Sequence, residues 1–365
     1  MIKDYNICSR CVMDTTADKI YFDKNNFCNF CSEVNDISNA KGYHLKIDNL
    51  VNDVQKKNKS NSNYDCIVGL SGGVDSAWTL VKVKEYGLNP LAVHMDNGWN
   101  TELAQNNIEN LVKTLNVDLY TEVLDWNIYQ SLMYSFFKSD VVDVELLYDN
   151  AMFAANFQQA NKHNVKFILA GTNTSTEGVK IPSNWNWYKY DKKNIKSINR
   201  IFFNTSLRGY PLMGTYNYIY YRFIKKIKWI PFLDYINYNK KEAEKELEKK
   251  FNFKPYTHKH YESFFTKFYQ GYILLKKFNI DKRKAHLSSL VISKQISRNQ
   301  ALEILKEDPI KKNELSEDIN YFLKKMNWSK NDLDTYLSRP EVKHDYYQSE
   351  RKIWDYFSSI YRYLK

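Results

Sequence analysis

The sequence predicts an α/β fold: a doubly wound parallel sheet with a cysteine-rich N-terminal segment before it and a helical C-terminal region after it. Apolar runs alternate with helical periodicity between residues 64 and 170, the first run ends in a glycine-rich loop, and helical periodicity dominates from residue 240 onward. The predicted strands are 66–70, 91–95, 120–124 and 167–170. The predicted helices between them are 77–86, 101–115 and 148–162.

Three domains are expected along the chain. They are a metal-binding knuckle over 1–45, the α/β domain over 46–250 and a helical substrate- or partner-binding region over 251–365. Residues 1–45 show no helical period, whereas 46–63 predict a helix and a polar connector. The C-terminal helices are predicted at 241–251, 261–278, 297–306, 316–325 and 330–338.

The segment 182–240 is rich in aromatic residues and asparagine. Either it faces the substrate or it is an insertion that adds aromatic side chains to the core. The second interpretation is slightly favoured, because aromatic side chains dominate core burial.

Composition limits the classes of protein that fit. The 365 residues are 43% hydrophobic and 26% charged, enough for one large core or two modest ones. Neither a membrane-spanning apolar stretch nor a signal peptide is recognised, so a cytoplasmic location is expected. The net charge of +11 suits a polyanionic partner such as a nucleotide, a nucleotide-sugar or RNA, although a lysine-rich compositional bias explains it equally well.

A loop with the chemistry of a phosphate site follows the first predicted strand and opens a helix. Glycine lets the backbone approach an anion closely, and the helix N-terminus adds partial positive charge. The two serines can donate hydroxyl hydrogen bonds, and the aspartate suits a Mg²⁺ ion between protein and pyrophosphate. The loop runs Leu70-Ser71-Gly72-Gly73-Val74-Asp75-Ser76.

No lysine follows the glycines, so this is not a Walker A loop. The loop resembles the SGG-x-DS signature of the PP-loop ATP pyrophosphatases, whose fold is of the adenine nucleotide alpha hydrolase type. That family splits ATP between its α and β phosphates and adenylates an oxygen of the substrate. A chance glycine-rich turn is the alternative, and the strand before the loop and helix after it argue against it.

Two further stretches end predicted strands at the same edge of the sheet, where ligands bind in such folds. His94, Met95 and Asp96 end the second strand, and the PP-loop resemblance implies that main chain near them holds the adenine. Gly171, Thr172 and Asn173 end the fourth strand and are expected to contact the nucleotide, with an ordinary strand-to-loop turn as the alternative.

Four of the five cysteines form two Cys-x-x-Cys pairs, Cys8 with Cys11 and Cys28 with Cys31. Such pairs can place four thiolates around a structural Zn²⁺, while an iron–sulfur site or a redox pair are the alternatives. Cys66 lies in the first predicted strand and is expected to be inert. No exposed cysteine then remains for a persulfide or a built-in glutaminase, so any ammonia must come from another protein.

A closer family resemblance covers about residues 5 to 310. Residues 8–15, 22–23 and 28–31, then 259–272 and 276–290, resemble blocks of the N-acetyl sugar amidotransferase family, in the family's order. The resemblance implies an ATP-dependent ligase that converts an acetamido group of a sugar into an acetamidino group through an O-adenylated imidate, and the sugar is expected to be linked to a nucleotide. It places the enzyme in lipopolysaccharide O-antigen or nonulosonic acid synthesis. It also implies two partners like those of histidine biosynthesis, a glutaminase subunit and a barrel-type subunit that delivers ammonia.

Within the C-terminal block, cationic residues suit a diphosphate or carboxylate, and two others suit proton transfer. Lys282, Arg283 and His286 are the predicted cationic cluster, and His260 and Glu262 are the predicted proton-transfer residues. A solvated helix face with structural ion pairs is the alternative for each of them. Lys267 stands where the family is expected to carry arginine, so an essential role there is doubtful.

The expected cofactors are therefore ATP, Mg²⁺ and Zn²⁺, and nucleic acid is an improbable partner. Two other functions compete with the sugar amidotransferase. A tRNA-modifying PP-loop enzyme accounts for the charge, the cysteine pairs and the loop together, but it lacks a free cysteine. A non-catalytic zinc-bearing adapter with a retained nucleotide pocket disagrees with the intact loop.

Overall fold

The centre of the fold is a parallel sheet of five strands. The computed structural model describes residues 5–40, 47–58, 62–256 and 261–363. The strand order is β3-β2-β1-β4-β5, and every neighbouring pair is parallel. The strands are β1 Cys66–Gly69, β2 Pro90–Asp96, β3 Leu119–Val123, β4 Phe167–Ala170 and β5 Lys228–Pro231.

Burial explains why four of these strands were predictable. Strands β1, β2 and β4 are almost wholly buried and read as continuous apolar runs, as expected when helices cover both faces. The edge strand β3 alternates half-buried and exposed residues instead. All four predicted strands are confirmed.

The fifth strand was not predicted. It pairs with β4 from Phe167–Lys228 to Ala170–Pro231 at the other edge of the sheet. Its four residues, Lys228 to Pro231, are all half-buried, so they show no alternation. Pro231 is tolerated because it ends an edge strand.

The helices cover both faces of the sheet and make up most of the C-terminal region. Before the fifth strand lie α1 Asn29–Ala40, α2 Ile47–Asn58, α3 Val74–Glu85, α4 Glu102–Leu115, α5 Trp126–Ser139, α6 Leu146–Lys162, α7 Thr174–Glu177, α8 Lys192–Phe202 and α9 Thr215–Ile219. After it lie α10 Lys240–Phe251, α11 Phe264–Phe268, α12 Leu274–Phe278, α13 Arg283–Ile292, α14 Arg298–Lys306, α15 Lys312–Met326, α16 Lys330–Ser338 and α17 Arg351–Tyr363.

Most predicted helices are present, with seven omissions and one correction. The helices that were not predicted are α1, α5, α7, α8, α9, α13 and α17; α1 lies in the segment that showed no helical period. The single helix predicted over 261–278 is instead α11, a π-helical turn over Tyr269–Ile273, and α12. None of the described helices is long and apolar enough to cross a membrane.

One hydrophobic core extends through all three predicted segments. It contains the four N-terminal cysteines, one face of the sheet, and side chains as distant as Phe322 and Tyr347. A second cluster fills the other face of the sheet, between α3, α10 and β4. From the aromatic-rich segment, Trp185 is fully buried in the first core, whereas Trp229 reaches the cavity described below. The segment therefore contributes aromatic side chains to the core, and a role facing the substrate stays a prediction.

Candidate functional site

A cavity of about 410 Å³ opens at the carboxyl edge of the sheet, at the point where the chain order switches sides of β1. Its wall combines the ends of β1, β2 and β4 with the loop after β1, the N-terminus of α10, and part of α13. Its lining residues are Gly69, Leu70, Ser71, Gly73, Val74, Asp75, Ser76, Val93, Met95, Tyr148, Met152, Ala170, Gly171, Thr172, Glu177, Trp229, Asn239, Lys240, Lys241, Glu244, Tyr256, Glu262, His286, Leu290, Gln295 and Ile296.

The glycine-rich loop is held by its own serines. The Ser71 backbone N–H donates to Ser76 Oγ at 3.1 Å, and Ser76 Oγ donates to the Gly73 carbonyl at 3.1 Å. Gly72 has a φ of +89°, and its carbonyl accepts a hydrogen bond from the Tyr256 hydroxyl at 3.0 Å. These bonds leave the backbone turned toward the cavity at the start of α3, the arrangement that binds anions.

Asp75 lies in the first turn of α3 and faces two hydroxyls. Its Oδ1 accepts a hydrogen bond from the Tyr238 hydroxyl, and its Oδ2 accepts one from Thr176 Oγ1 at 3.4 Å. The burial of Tyr238 and its carboxylate neighbour raise the pKa of the phenol far above its usual value, so it stays a hydrogen-bond donor. Tyr238 was not predicted, because it lies 163 residues from Asp75 in the chain.

Of the residues that end β2, one lines the cavity and another supports the glycine-rich loop from behind. Met95 lines the cavity, whereas His94 is buried behind the loop. His94 Nδ1 donates to the Leu70 carbonyl at 2.8 Å, and Nε2 accepts from Asn100 Nδ2 at 3.0 Å. Burial lowers the pKa of His94, which keeps this neutral tautomer. Asp96 accepts the Gly98 N–H at 2.8 Å and lies outside the lining.

The end of β4 fits tightly against the loop. A Cβ atom on Gly171 would lie 2.8 Å from the backbone carbon of Asp75, so only glycine permits this approach. Thr172 lines the cavity. Asn173 instead caps α7, because its Oδ1 accepts the Thr176 N–H at 2.8 Å.

The predicted cationic cluster is divided. His286 lines the cavity, and its Nδ1 donates to the Thr176 carbonyl at 2.9 Å. Lys282 pairs with Glu145 at 2.8 Å, and Arg283 pairs with Asp281 at 2.8 Å. Neither belongs to the cavity lining: Lys282 is held by a carboxylate 137 residues away in the chain, and Arg283 by one two residues before it.

Of the two predicted proton-transfer residues, Glu262 lies on the cavity wall. A Cβ on Gly73 would lie 3.4 Å from Glu262 Oε1, so this carboxylate lies beside the phosphate loop. His260 falls outside the described residues. Lys267 pairs with Asp318 at 2.8 Å and Glu314 at 3.3 Å, which gives it a structural role.

Sequence reasoning missed the part of the wall contributed by α10. Lys240 and Lys241 begin this helix and Glu244 follows one turn later, all on the cavity wall. Burial raises the pKa of Glu244. Two lysines at a helix N-terminus are an anion signal, but only tertiary packing places them opposite the loop.

The four N-terminal cysteines form a second site. Their Sγ atoms all lie within 4.8 Å of one another, and every one of these residues is buried. Cys8 and Cys31 have sulfurs 3.7 Å apart, and Cys11 and Cys28 have sulfurs 3.6 Å apart. With Zn–S bonds of about 2.3 Å, a tetrahedral site needs sulfurs roughly 3.8 Å apart. The donor set therefore fits one Zn²⁺ ion.

Contacts around the cysteines complete this fit. Backbone N–H groups point at the sulfurs, including Cys28 N–H to Cys8 Sγ at 3.2 Å and Cys31 N–H to Cys28 Sγ at 3.4 Å. Arg298 of α14 donates to the carbonyls of Cys8 and Cys11, at 2.9–3.1 Å. Cys66 lies apart from the cluster in β1, where burial raises the pKa of its thiol well above its usual value.

The sheet order, the loop at the end of β1 and the cavity beside it define the class of this fold: a parallel α/β sheet with a glycine-rich loop at its carboxyl edge and an N-terminal four-cysteine cluster. The C-terminal segment, residues 262–361, matches the family model described as "LPS biosynthesis protein WbpG-like, C-terminal domain". No curated protein matches the chain.

Solved structures offer weak likenesses. NMN synthetase from Francisella tularensis is 16% identical over 58% of this chain and 92% of its own, with a TM-score of 0.31. NH3-dependent NAD synthetase from Campylobacter jejuni is 19% identical over 45% of this chain and 74% of its own, with a TM-score of 0.29. The U34-tRNA thiolase NcsA from Methanococcus maripaludis was solved with its [4Fe-4S] cluster. It is 15% identical over 82% of this chain and 88% of its own, with a TM-score of 0.31. Likeness at this level says nothing about substrate or activity.

Proposed function

We propose that this protein is an ATP-dependent amidotransferase that converts the acetamido group of a sugar, linked to a nucleotide, into an acetamidino group during bacterial surface polysaccharide synthesis. One observation carries the proposal. The phosphate loop and two residues of the WbpG-like segment, Glu262 and His286, line the same cavity. A nucleotide bound at the loop would thus meet whatever substrate the C-terminal segment selects.

The loop side of the cavity suits the phosphates of ATP. Ser71 and the backbone N–H groups at the start of α3 would donate to phosphate oxygens, with the helix dipole in support, and Ser76 would join them by turning its hydroxyl away from the Gly73 carbonyl. Asp75 would hold Mg²⁺; no described residue forms an ion pair with it, and its neighbours Tyr238 and Thr176 are neutral hydroxyls. The ion would offset charge on the departing pyrophosphate.

The opposite side suits a nucleotide-sugar. Tyr148 and Trp229 add aromatic surface to the wall, as binding pockets commonly do. Lys240 and Lys241 supply the cations that a diphosphate needs, in place of the predicted Lys282 and Arg283. Nucleotide linkage of the sugar rests on these two lysines.

In the first step, the acetamido carbonyl oxygen attacks the α-phosphorus of ATP. The bond from that phosphorus to the bridging oxygen of pyrophosphate breaks, and an O-adenylated imidate forms. Amide oxygen is a poor leaving group, whereas AMP is a far better one, so this step makes substitution possible. The loop amides stabilise the charge that develops on pyrophosphate.

In the second step, ammonia attacks the imidate carbon, the carbon–oxygen bond to AMP breaks, and an amidine remains. Ammonia must lose a proton during this attack. His286 donates through Nδ1 to the Thr176 carbonyl, so in the neutral ring Nε2 is the basic nitrogen. We assign that base role to His286, with Glu262 as the alternative.

Ammonia would come from a separate glutaminase, through a barrel-type subunit. All five cysteines are buried, and four of them form the cluster, so none is placed as a glutaminase nucleophile. The cluster itself would hold structural Zn²⁺, since four thiolates leave no open coordination position. A cluster of several irons would need the sulfurs further apart than they lie here.

The test measures pyrophosphate released from ATP and magnesium with ammonium, across acetamido sugars and their nucleotide-linked forms. Release should require an acetamido sugar, yield a product in which NH replaces oxygen by mass, and disappear in Ser71→Ala and Asp75→Ala. Lys312→Ala, on exposed α15, is the matched control and should retain activity. Release that depends on tRNA and ignores every sugar would refute the proposal in favour of the tRNA-modifying alternative.

A further inference from the structure

Helix α9, the π-helical turn Tyr220–Ile224 and helix α17 carry large apolar side chains in solvent. Tyr216, Ile224 and Tyr356 are 67%, 69% and 73% exposed. We call this surface the aromatic–basic face. Its exposed apolar members are Tyr216, Tyr220, Phe223, Ile224, Ile353, Tyr356 and Ile360.

The spacing of these residues makes the face continuous. Tyr216, Tyr220 and Ile224 recur every fourth residue, and the three from α17 recur at three and four, so each set lies along one side of its helix. Two ring contacts join the helices, Phe223 to Phe357 at 5.5 Å and Tyr218 to Trp354 at 5.2 Å between centroids.

Positive charge borders this apolar surface. No aspartate or glutamate occurs between Thr215 and Pro231. Arg222 lies within the π-helical turn, and Lys225 and Lys226 directly follow it. Lys225 Nζ lies 5.5 Å from the centroid of the Tyr220 ring.

On α17, Lys352 is exposed. The acidic Asp355 is engaged by Arg351 at 3.0 Å. The net field over the face is therefore positive.

We propose that the aromatic–basic face binds an anionic membrane surface, which would hold the protein at the bilayer without a spanning helix. Exposed tyrosines and isoleucines framed by lysines are the composition of an interfacial segment, and tyrosine concentrates at the headgroup level. Protein interfaces deplete lysine instead. A second copy of this chain would also bring the same cations against one another in a two-fold interface.

The experiment is sedimentation of the full chain with vesicles of phosphatidylcholine, with and without phosphatidylglycerol. We expect binding only to the anionic vesicles, and loss of binding at high salt because the exposed Lys226 and Lys352 are screened by ions. The charge variant Lys225→Glu with Lys226→Glu should weaken binding by more than about 25-fold, since each basic residue near such a surface contributes about fivefold and the two new carboxylates are repelled by it. The apolar triple variant Tyr216→Ser, Ile224→Ser and Tyr356→Ser should also weaken it.

Matched controls lie on other surfaces. Lys312→Glu with Lys324→Glu changes the same charge on α15, and Val123→Ser with Tyr346→Ser removes exposed apolar groups elsewhere. Both controls should bind as the parent does, and thermal unfolding should show that all variants fold. Absence of binding to anionic vesicles, or equal losses in variants and controls, would overturn the proposal. So would concentration-dependent dimerisation that the apolar triple variant abolishes, because the face would then serve self-association.

Discussion

The Tyr238 hydroxyl donates a hydrogen bond to Asp75 Oδ1, and so joins the segment before α10 to the first turn of α3. This contact fixes the carboxylate that we propose as the magnesium ligand. Because the phenol keeps its proton, it orients the Asp75 carboxylate as a hydrogen-bond donor and does not itself become an anionic ligand of the metal.

Substituting Tyr238→Phe should lower kcat for pyrophosphate release on the order of tenfold, since a hydrogen bond to a charged group is lost. The magnesium concentration needed for half-maximal rate should rise as well. Tyr235→Phe, in the 3₁₀ turn Phe232–Tyr235, is the control and should leave both unchanged. An unaltered magnesium dependence in Tyr238→Phe would show that the contact is structural only.

Removing one cysteine of the cluster should release the metal. Cys28→Ser leaves three thiolates, so the zinc content should fall. The four cysteines belong to the first hydrophobic core, so loss of the metal should also lower the melting temperature. Metal analysis by mass spectrometry and thermal unfolding measure the two effects. Cys66→Ala, which removes a cysteine outside the cluster, should retain the zinc. Iron and sulfide in the parent protein would instead assign an iron–sulfur centre.

The lysines of α10 and the lysine before α13 should behave differently. Lys240→Gln with Lys241→Gln should raise KM for the nucleotide-sugar roughly tenfold, with little change in stability, because these cations lie on the cavity wall. Lys282→Gln should instead destabilise the fold by on the order of 3 kcal/mol, because Glu145 is left buried without its cation. Steady-state kinetics and denaturant unfolding separate the two outcomes. A KM effect confined to Lys282→Gln would reverse the assignment.

Acid should destabilise the fold through His344. Its Nδ1 donates to Asn194 Oδ1 at 2.8 Å, and its Nε2 accepts the Asp143 N–H at 3.2 Å, so protonation would set two N–H groups against each other. Burial lowers the pKa of His344 to about 3.

The folded pKa lies below the unfolded value of about 6.5, so only the unfolded chain takes up the proton between these values. The free energy of unfolding should therefore fall as pH drops below about 6.5, by up to roughly 1.4 kcal/mol per pH unit. Denaturant titrations from neutral pH to mild acid measure this slope. His344→Gln keeps a donor and an acceptor but cannot titrate, and should flatten it; an equal slope in the variant would assign the acid sensitivity to other groups.

The sequence by itself determined four of the five strands and the position of the loop. Strands β1, β2 and β4 are buried on both faces, so continuous apolar letters specify them, and Ser71 to Ser76 follow β1 directly. The two cysteine pairs could also be predicted, because the spacing of metal ligands is a local feature of the sequence. For the same reason the N-terminus of α3 could be placed directly after the glycine-rich loop.

Tertiary packing alone decided which distant side chains complete the cavity. His286 reaches it while Lys282 and Arg283 do not, because Glu145 from a distant part of the chain holds Lys282 and the neighbouring Asp281 holds Arg283. Tyr238 meets Asp75 across 163 residues, a contact that no local pattern encodes. The edge strand β5 could not be predicted for a related reason. Its four half-buried residues show no alternation, and they form a strand because they pair with the edge of β4.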